Sequence, residues 1–414
     1  MKTVGIIAEY NPFHKGHAHH IEETRKITGA DCVVIIMSGN FVQRGAPAIA
    51  DKFTRAQTAL LGGADLIIEL PTVYATGSAE FFAYGAISIL NSIGQIDYLS
   101  FGSETDDINK LDKIAKILHS EPKEYKDMIK DALKSGLSMP VARKNALTAL
   151  FPDIMNISDI IDTPNNILGI EYLKALHHFN SNIEPVIVKR FGNGYHDTDL
   201  NEGFASATAL RNSFEQDTFS NIKKYMPDKI FDLYCENYGQ ILPVNSDDMN
   251  MLLYYSLILN QTCLENFMDI NNNLANKILN TLKKGDFPDH DSLILSLKSK
   301  ELTHTRISRG ILHVLLNIKK TDFRIIKEQN YPVYGRILGF SDTGRQFLKN
   351  IRKETSLKLI TKLSEYSDNS KTAIGMLLEK DIFASNVYRN IVKNKYDIVL
   401  KDDFRRVPEK LHRD

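Results

Sequence analysis

The sequence predicts an α/β fold, with a parallel sheet built by the first half of the chain and a mainly α-helical C-terminal half after it. Two patterns predict it. Strand-length apolar runs alternate with helix-length amphipathic stretches over the first two hundred residues, which implies right-handed crossovers and a sheet covered on both faces. After about Arg211 the alternation stops and apolar residues recur at helical spacing. The length of 414 residues, with 43% hydrophobic and 25% charged, suits a globular chain of roughly two or three domains.

Taken in order, Thr3 to Ala8 reads as a buried strand and His17 to Ile27 as the amphipathic helix after it. Asp31 to Met37 is the second strand, Phe53 to Leu61 the second helix, Asp65 to Leu70 the third strand and Ser78 to Leu90 the third helix. Tyr98 to Phe101 and Pro185 to Arg190 read as further strands, separated by a helical insertion over about 106–150. Segment 1–215 is thus expected to carry the sheet and segment 216–414 to be mainly helical. Ile307, Ile311, Val314, Leu315 and Ile318 mark one face of a helix there. Tyr331 to Phe340 and Leu357 to Thr361 are expected as short strands within that half.

Composition excludes several classes. The longest apolar runs, such as Val33 to Met37 and Leu66 to Leu70, are strand-length and far below the roughly 18 residues of a membrane span. The N-terminus lacks a long apolar signal region, so the expected location is cytoplasmic, with no membrane partner. Cys32, Cys235 and Cys263 are odd in number and widely spaced, which fits buried small apolar residues better than disulfides or a zinc cluster. Fifty-one basic residues balance fifty-one acidic ones. From Arg345 onward, however, 16 Lys and Arg face 10 Asp and Glu, a basic end suited to a phosphate-rich partner.

The segment Glu9-Tyr10-Asn11-Pro12-Phe13-His14-Lys15-Gly16-His17 follows the first strand directly. Two histidines three apart flank a glycine where strand gives way to helix. Free amides and the macrodipole favour a phosphate there, Gly16 admits close approach, and imidazoles can donate to a phosphoryl group as charge builds on it. His14, His17, His19 and His20 cluster, but their spacings of three and two do not make a tetrahedral zinc set. Ser206-Ala207-Thr208-Ala209-Leu210-Arg211 has hydroxyls of helix-cap type followed by a fixed cation. Asn40, Gln43 and Arg44, after the second strand, can serve substrate positioning or plain loop structure.

Together these two motifs resemble the HxGH nucleotidylyltransferase superfamily. Met37-Ser38-Gly39-Asn40-Phe41-Val42-Gln43-Arg44-Gly45, Asp65-Leu66-Ile67-Ile68-Glu69-Leu70-Pro71, Phe101-Gly102-Ser103-Glu104, Pro164-Asn165-Asn166-Ile167-Leu168-Gly169 and Tyr195-His196-Asp197 narrow the likeness. In that order they resemble the tRNA(Met) cytidine acetate ligase family, over essentially the whole chain.

The resemblance implies a Rossmann-like nucleotidylyltransferase domain followed by a tRNA-binding domain. It implies activation of acetate by ATP to acetyl adenylate, then acetylation of N4 of the wobble cytidine of elongator tRNA(Met). The implied ATP site comprises Ile7, Ala8, Glu9, Tyr10, Asn11, Pro12, Phe13, His14, Lys15, Gly16, His17, Ala18, His19, His20, Gly102, Asn165, Arg190, Ser206, Thr208 and Arg211, with His14 and His17 catalytic. Mg2+ is expected with the triphosphate. Asp65, Glu69 and Glu104 could contact it, but no residue is assigned as a metal ligand. Arg345, Arg352, Lys353, Lys393, Lys395, Arg405 and Arg406 are the basic candidates for the tRNA body, with Arg405 and Arg406 assigned to it. DNA is not expected as a partner. The rival reading is a small-molecule adenylyltransferase making a nucleotide cofactor, which needs no long extra half. A nucleotide-binding regulator without catalysis is a third.

Overall fold

The β-branched run at the N-terminus forms strand β1 (Thr3–Ala8), and the fully buried Cys32–Ser38, apolar up to Met37, forms β2 beside it in parallel, with Ile6 opposite Ile35. The structure, a computed structural model, describes residues 1–152, 157–189, 205–215, 219–285, 288–299, 302–365 and 372–412. A short hairpin, β3 (Phe41–Val42) and β4 (Ala46–Pro47), follows β2. Strands β5 (Leu66–Leu70), β6 (Tyr98–Ser103) and β7 (Glu184–Lys189) extend the parallel sheet. Helices α1 (Lys15–Thr28), α2 (Lys52–Leu61), α3 (Thr72–Ala75) and α4 (Ala79–Ile93) fill the crossovers. The insertion supplies α5 (Ile108–Ser120), α6 (Lys123–Lys134) and α7 (Met139–Leu150).

Alternation along the buried strands divides the core into two layers. Val34, Ile36, Leu66 and Ile68 join the layer of α4, whereas Val33, Ile35 and Ile67 join the other with Phe53 and Leu60 of α2. The expected strands and helices of the first half stand within three residues of their sequence boundaries, the largest difference being the end of α4 at Ile93 instead of Leu90.

The second half departs from expectation in one respect. Strands β8 (Gly335–Ser341), β9 (Leu359–Ile360) and β10 (Glu409–Leu411) do not form a local set within a helical half. They complete the main sheet, whose order is β10-β8-β5-β2-β1-β6-β7, with β9 beside β8. Strand β8 runs antiparallel to β5, with Ile67 opposite Gly339. The sheet thus crosses from segment 1–215 into 216–414.

A buried charge cluster explains this pairing. Lys52 Nζ donates to Glu69 Oε1 and Oε2 at 2.7 and 2.9 Å, to Asp403 Oδ2 at 2.9 Å and to Ser385 Oγ at 3.0 Å. Arg336 Nη1 donates to the same Asp403 oxygen at 2.8 Å. These groups come from α2, β5, β8, the long helix Ala373–Tyr396 and the C-terminal segment.

The cysteine expectation needs correction: Cys32 is buried, Cys263 is half-buried and Cys235 is exposed. Cys235 lies on the helix Asp228–Asn237, whose buried face is carried by Ile230, Phe231 and Tyr234. Among the described residues no helix is long and apolar enough to cross a membrane.

Burial alone would raise the Asp403 carboxyl, but Lys52 and Arg336 outweigh it and hold it at about 2. Its stabilising contribution is therefore full above the unfolded value of about 3.9 and is lost as pH falls through 2. Asp403→Asn, which leaves two buried cations facing one carboxylate, should cost about 3 kcal/mol at pH 7. Denaturant melts check this, and the difference from wild type should shrink steadily below pH 4.

Candidate functional site

The carboxyl ends of β1 and β2 are joined by a fully buried guanidinium. Arg55 donates to Glu9 O at 2.6 Å, Ala50 O at 3.0 Å and Ser38 O at 3.1 Å, and also to Gly39 O. Strand-end carbonyls that water would otherwise satisfy are thereby paired inside the protein.

From that rim the chain turns through Tyr10, in the left-handed region at φ 48°. Phe13 is buried, and its ring occupies the space where a Cβ at Gly62 would lie, 2.1 Å from its nearest atom. Its amide donates to Tyr234 Oη at 3.2 Å. Asn11 Oδ1 accepts from Ile49 N at 2.8 Å. The loop entering α1 is fixed on three sides.

His14 caps α1. Its Nδ1 accepts from Gly16 N at 3.1 Å, while His14 N donates to His17 Nδ1 at 3.3 Å. Two consequences follow. Each neutral ring must carry its proton on Nε2, so each presents an N–H donor on its far side. The rings also stack, with centroids 3.7 Å apart and planes at 25°, which places both donors at the positive end of one helix. No acidic residue occupies the first turn of α1.

The second motif lies against the first. Ser206 caps helix α10 (Ala207–Glu215), its Oγ accepting from Ala209 N at 3.1 Å. Arg211 Nη1 donates to Asn11 O at 2.8 Å and Nη2 to Thr208 Oγ1 at 2.9 Å. Arg44 reaches the same hydroxyl from the β2 side at 3.3 Å.

Between these elements lies a cavity of about 520 Å3, within the range of small-molecule sites. Ile7, Ala8, Glu9, Tyr10, Asn11, His14, Gly16, His17, His19, His20, Gly102, Asn165, Ser206, Thr208 and Arg211 all line it. Pro12, Phe13, Lys15 and Ala18 do not: Pro12 and Phe13 are buried beneath the loop, Lys15 is exposed, and Ala18 packs on the core. Arg190, with Tyr195, His196 and Asp197, lies outside the described residues. His20 is tethered to β6 through Ser100 Oγ at 3.1 Å.

Of the loop residues left open between two roles, Asn40 is scaffold, its Oδ1 accepting from Lys52 N at 2.8 Å, whereas Gln43 and Arg44 line the cavity. Of the three acidic residues, Asp65 accepts from Val33 N and Ser341 Oγ, and Glu69 is in the buried cluster. Glu104 alone of them lines the cavity, accepting from Asn165 Nδ2 at 2.6 Å.

Sequence reasoning missed the apolar wall, formed by Phe82, Phe101, Leu168, Tyr172 and Val188. Helix α8 (Ile157–Asp162) precedes α9 (Pro164–His178), where Asn165, Leu168 and Tyr172 recur at helical spacing on the cavity side. That spacing was the available signal. It also missed Asn166, whose buried Oδ1 accepts from Ser103 Oγ at 2.7 Å and Glu104 N at 3.1 Å and so fixes the β6 end.

Because His14 caps through a ring nitrogen, His14→Ala should destabilise the fold by about 1 kcal/mol, and His14→Asn, which restores an acceptor, should recover most of that loss. Thermal melts of the two variants against wild type check it.

With this geometry in hand, comparison with known proteins is specific. A family model described as HIGH Nucleotidyl Transferase matches residues 1–402. The tRNA(Met) cytidine acetate ligase of Clostridium novyi is 42% identical over 410 residues, covering 99% of each chain. That of Caldanaerobacter subterraneus is 44% identical over 398 residues, covering 95% of this chain and 96% of its own. Two crystal structures of Thermotoga maritima TmcAL, one apo and one bound with alpha-thio ATP, superpose with TM-scores of 0.91 and 0.89 at 32% and 30% identity, over the full length of both chains.

Proposed function

The chain belongs to the tRNA(Met) cytidine acetate ligase family, and from that membership we propose how its cleft works. It is an ATP-dependent ligase that acetylates the wobble cytidine of tRNA(Met), with acetate as the acyl source. The observation that carries the mechanism is the pair of backbone-locked imidazoles facing the Ser206–Arg211 segment across one cavity.

A carboxylate oxygen of acetate attacks the α-phosphorus of ATP. The bond from that phosphorus to the bridging oxygen breaks, and its electron pair leaves with pyrophosphate. His14 and His17 donate from Nε2 to the phosphoryl oxygens as charge builds, and Arg211 offsets charge on the departing group. Both side chains are positioned before the reaction, so little reorganisation is needed. Cytidine N4 then attacks the acetyl carbon, AMP leaves, and the surplus proton passes to solvent. The amine is weakly nucleophilic because its lone pair is delocalised, which is why a mixed anhydride is needed.

Gly102, Asn165 and the apolar wall are suited to the nucleoside, and Arg190 is retained as a further ATP contact. Mg2+, where bound, would come with the triphosphate and would neutralise phosphate charge. Glu9 and Glu104, the carboxylates lining the cavity, are already engaged with Gln43 N and Asn165. Among the described residues no group of three or more His, Cys, Asp or Glu could hold a metal; a triphosphate-bound Mg2+ would be held largely by phosphate and water. Segment 1–215 carries activation and 216–414 the tRNA body, at work in the cytoplasm.

Acetate should stimulate exchange of labelled pyrophosphate into ATP without tRNA, and His14→Asn should lower that exchange by about a hundredfold while the fold persists. Exchange that instead requires a mononucleotide would transfer the reading to a small-molecule adenylyltransferase.

The two arginines proposed for tRNA differ in freedom. Arg406 is drawn inward, Nη2 lying 3.3 Å from Asp51 Oδ1 and the guanidinium 4.6 Å from the centroid of Phe53. Arg405 is 81% exposed, beside Asp402. Arg405→Glu is therefore the cleaner probe. It should weaken tRNA affinity and reduce the slope of log affinity against log salt by about one, leaving acetate-dependent exchange near wild type. Filter binding across a salt series measures both.

A further inference from the structure

Neither motif provides a place for the attacking carboxylate. The hairpin after β2 does. Its tip is anchored to the second half of the chain: Ser308 Oγ donates to Gly45 O at 2.9 Å, and a Cβ at Gly45 would lie 2.4 Å from Arg309 N. Gly45 has φ +82° and so turns where a side chain could neither fit nor adopt the backbone. Two residues earlier, Gln43 N donates to Glu9 Oε1 at 2.8 Å. The backbone from Gln43 to Gly45 is held at both ends.

On that fixed backbone, Gln43 Nε2 is buried with no hydrogen-bond partner, although Gln43 lines the cavity. The hydroxyl of Tyr10, a residue 3% exposed that also lines the cavity, is a second buried polar atom without one. Buried donors are normally satisfied, and an unmade one at a cavity wall calls for a ligand that brings the acceptor. A carboxylate is acceptor-only.

Position selects which carboxylate. In the sheet, β2 and β6 flank β1 on opposite sides. The nucleoside candidates Gly102 and Asn165 stand on the β6 side, the histidines follow β1, and Gln43 and Arg44 follow β2. With the α-phosphorus over the histidines, the β2 side is the one left for the nucleophile. Arg44, whose Nη1 bonds Thr208, places a cation between that side and the phosphate-facing Ser206–Arg211 segment, which lowers the repulsion between two anions brought to bonding distance.

We infer that the Gln43 side-chain amide, beside Arg44, holds the carboxylate of acetate for attack on ATP. This subsite rests on the ligase reading above. It is tested in acetate-dependent pyrophosphate exchange with Gln43→Leu, which removes the donor, and Gln43→Glu, which keeps the shape but adds a like charge. Gln43→Leu should raise the acetate KM about tenfold, and Gln43→Glu more, while the ATP KM stays within about twofold of wild type. Calorimetric affinity for ATP without acetate should be unchanged in both variants, which also verifies their fold. An unchanged acetate KM in both variants, or an ATP KM that rises in step with it, overturns the subsite. Wild-type protein that shows no acetate-dependent exchange overturns the ligase reading itself, and the subsite with it.

Discussion

The architecture depends on positive charge buried at the start of α2. Lys52 and Arg55 stand one helical turn apart, both with negligible exposure, and each replaces lost hydration with four hydrogen bonds inside the protein. Lys52 and Arg336 face Glu69 and Asp403, two cations against two carboxylates. With charge already balanced there, the nearby Asp381 is in surplus: burial first, and Glu69 next, push its carboxyl up to about 7. It still serves as an acceptor for Thr72 N at 2.6 Å. Leaving one such group uncompensated costs several kcal/mol, a large fraction of a protein's net stability, so the cluster favours having every contributing segment in place together.

Arg55 converts the same helix into a scaffold for chemistry. Its bonds to the carbonyls after β1 and β2 fix the separation of the strand ends from which the histidine loop and the hairpin depart. Everything that touches the cavity from those strands inherits this spacing. The imidazoles add a second level of fixation, because their cap bonds leave only Nε2 as a donor. The orientation of both rings is thus set by backbone contacts.

The sequence was most legible where signal is local. The first strand, the histidine pair and the Ser206 cap lie within a few residues of their cues, and each stands where its residue types require. The buried strands were legible because a doubly covered sheet demands near-continuous apolar runs. What was not legible depends on partners far apart in sequence. Glu69 in Asp65-Leu66-Ile67-Ile68-Glu69-Leu70-Pro71 is a carboxylate in a strand, compatible with metal binding, until Lys52 and Arg336 are seen beside it. Strand β8 carries no mark of its antiparallel pairing with β5, since hydrophobic pattern sets burial but not which strand lies alongside. Arg405 and Arg406 are neighbours of the same type, and only Asp51 and Phe53 distinguish the inward one from the outward one.

This mode of closure bears on how the two halves cooperate. The sheet strand β8, the acceptor Ser385 and the carboxylate Asp403 all come from segment 216–414, yet they complete the surroundings of Lys52 and Glu69 in segment 1–215. The hairpin that carries Gln43 and Arg44 is pinned by Ser308 of the same later segment. Residues proposed to hold tRNA and residues proposed to activate acetate are therefore separable as side chains but not as folding units. A substitution on an exposed side chain such as Arg405 can alter one step alone. Removing the helical half would instead strip the Lys52–Glu69 pair of Ser385, Asp403 and Arg336 and the cavity rim of its anchor, so both proposed roles depend on the stability of one sheet.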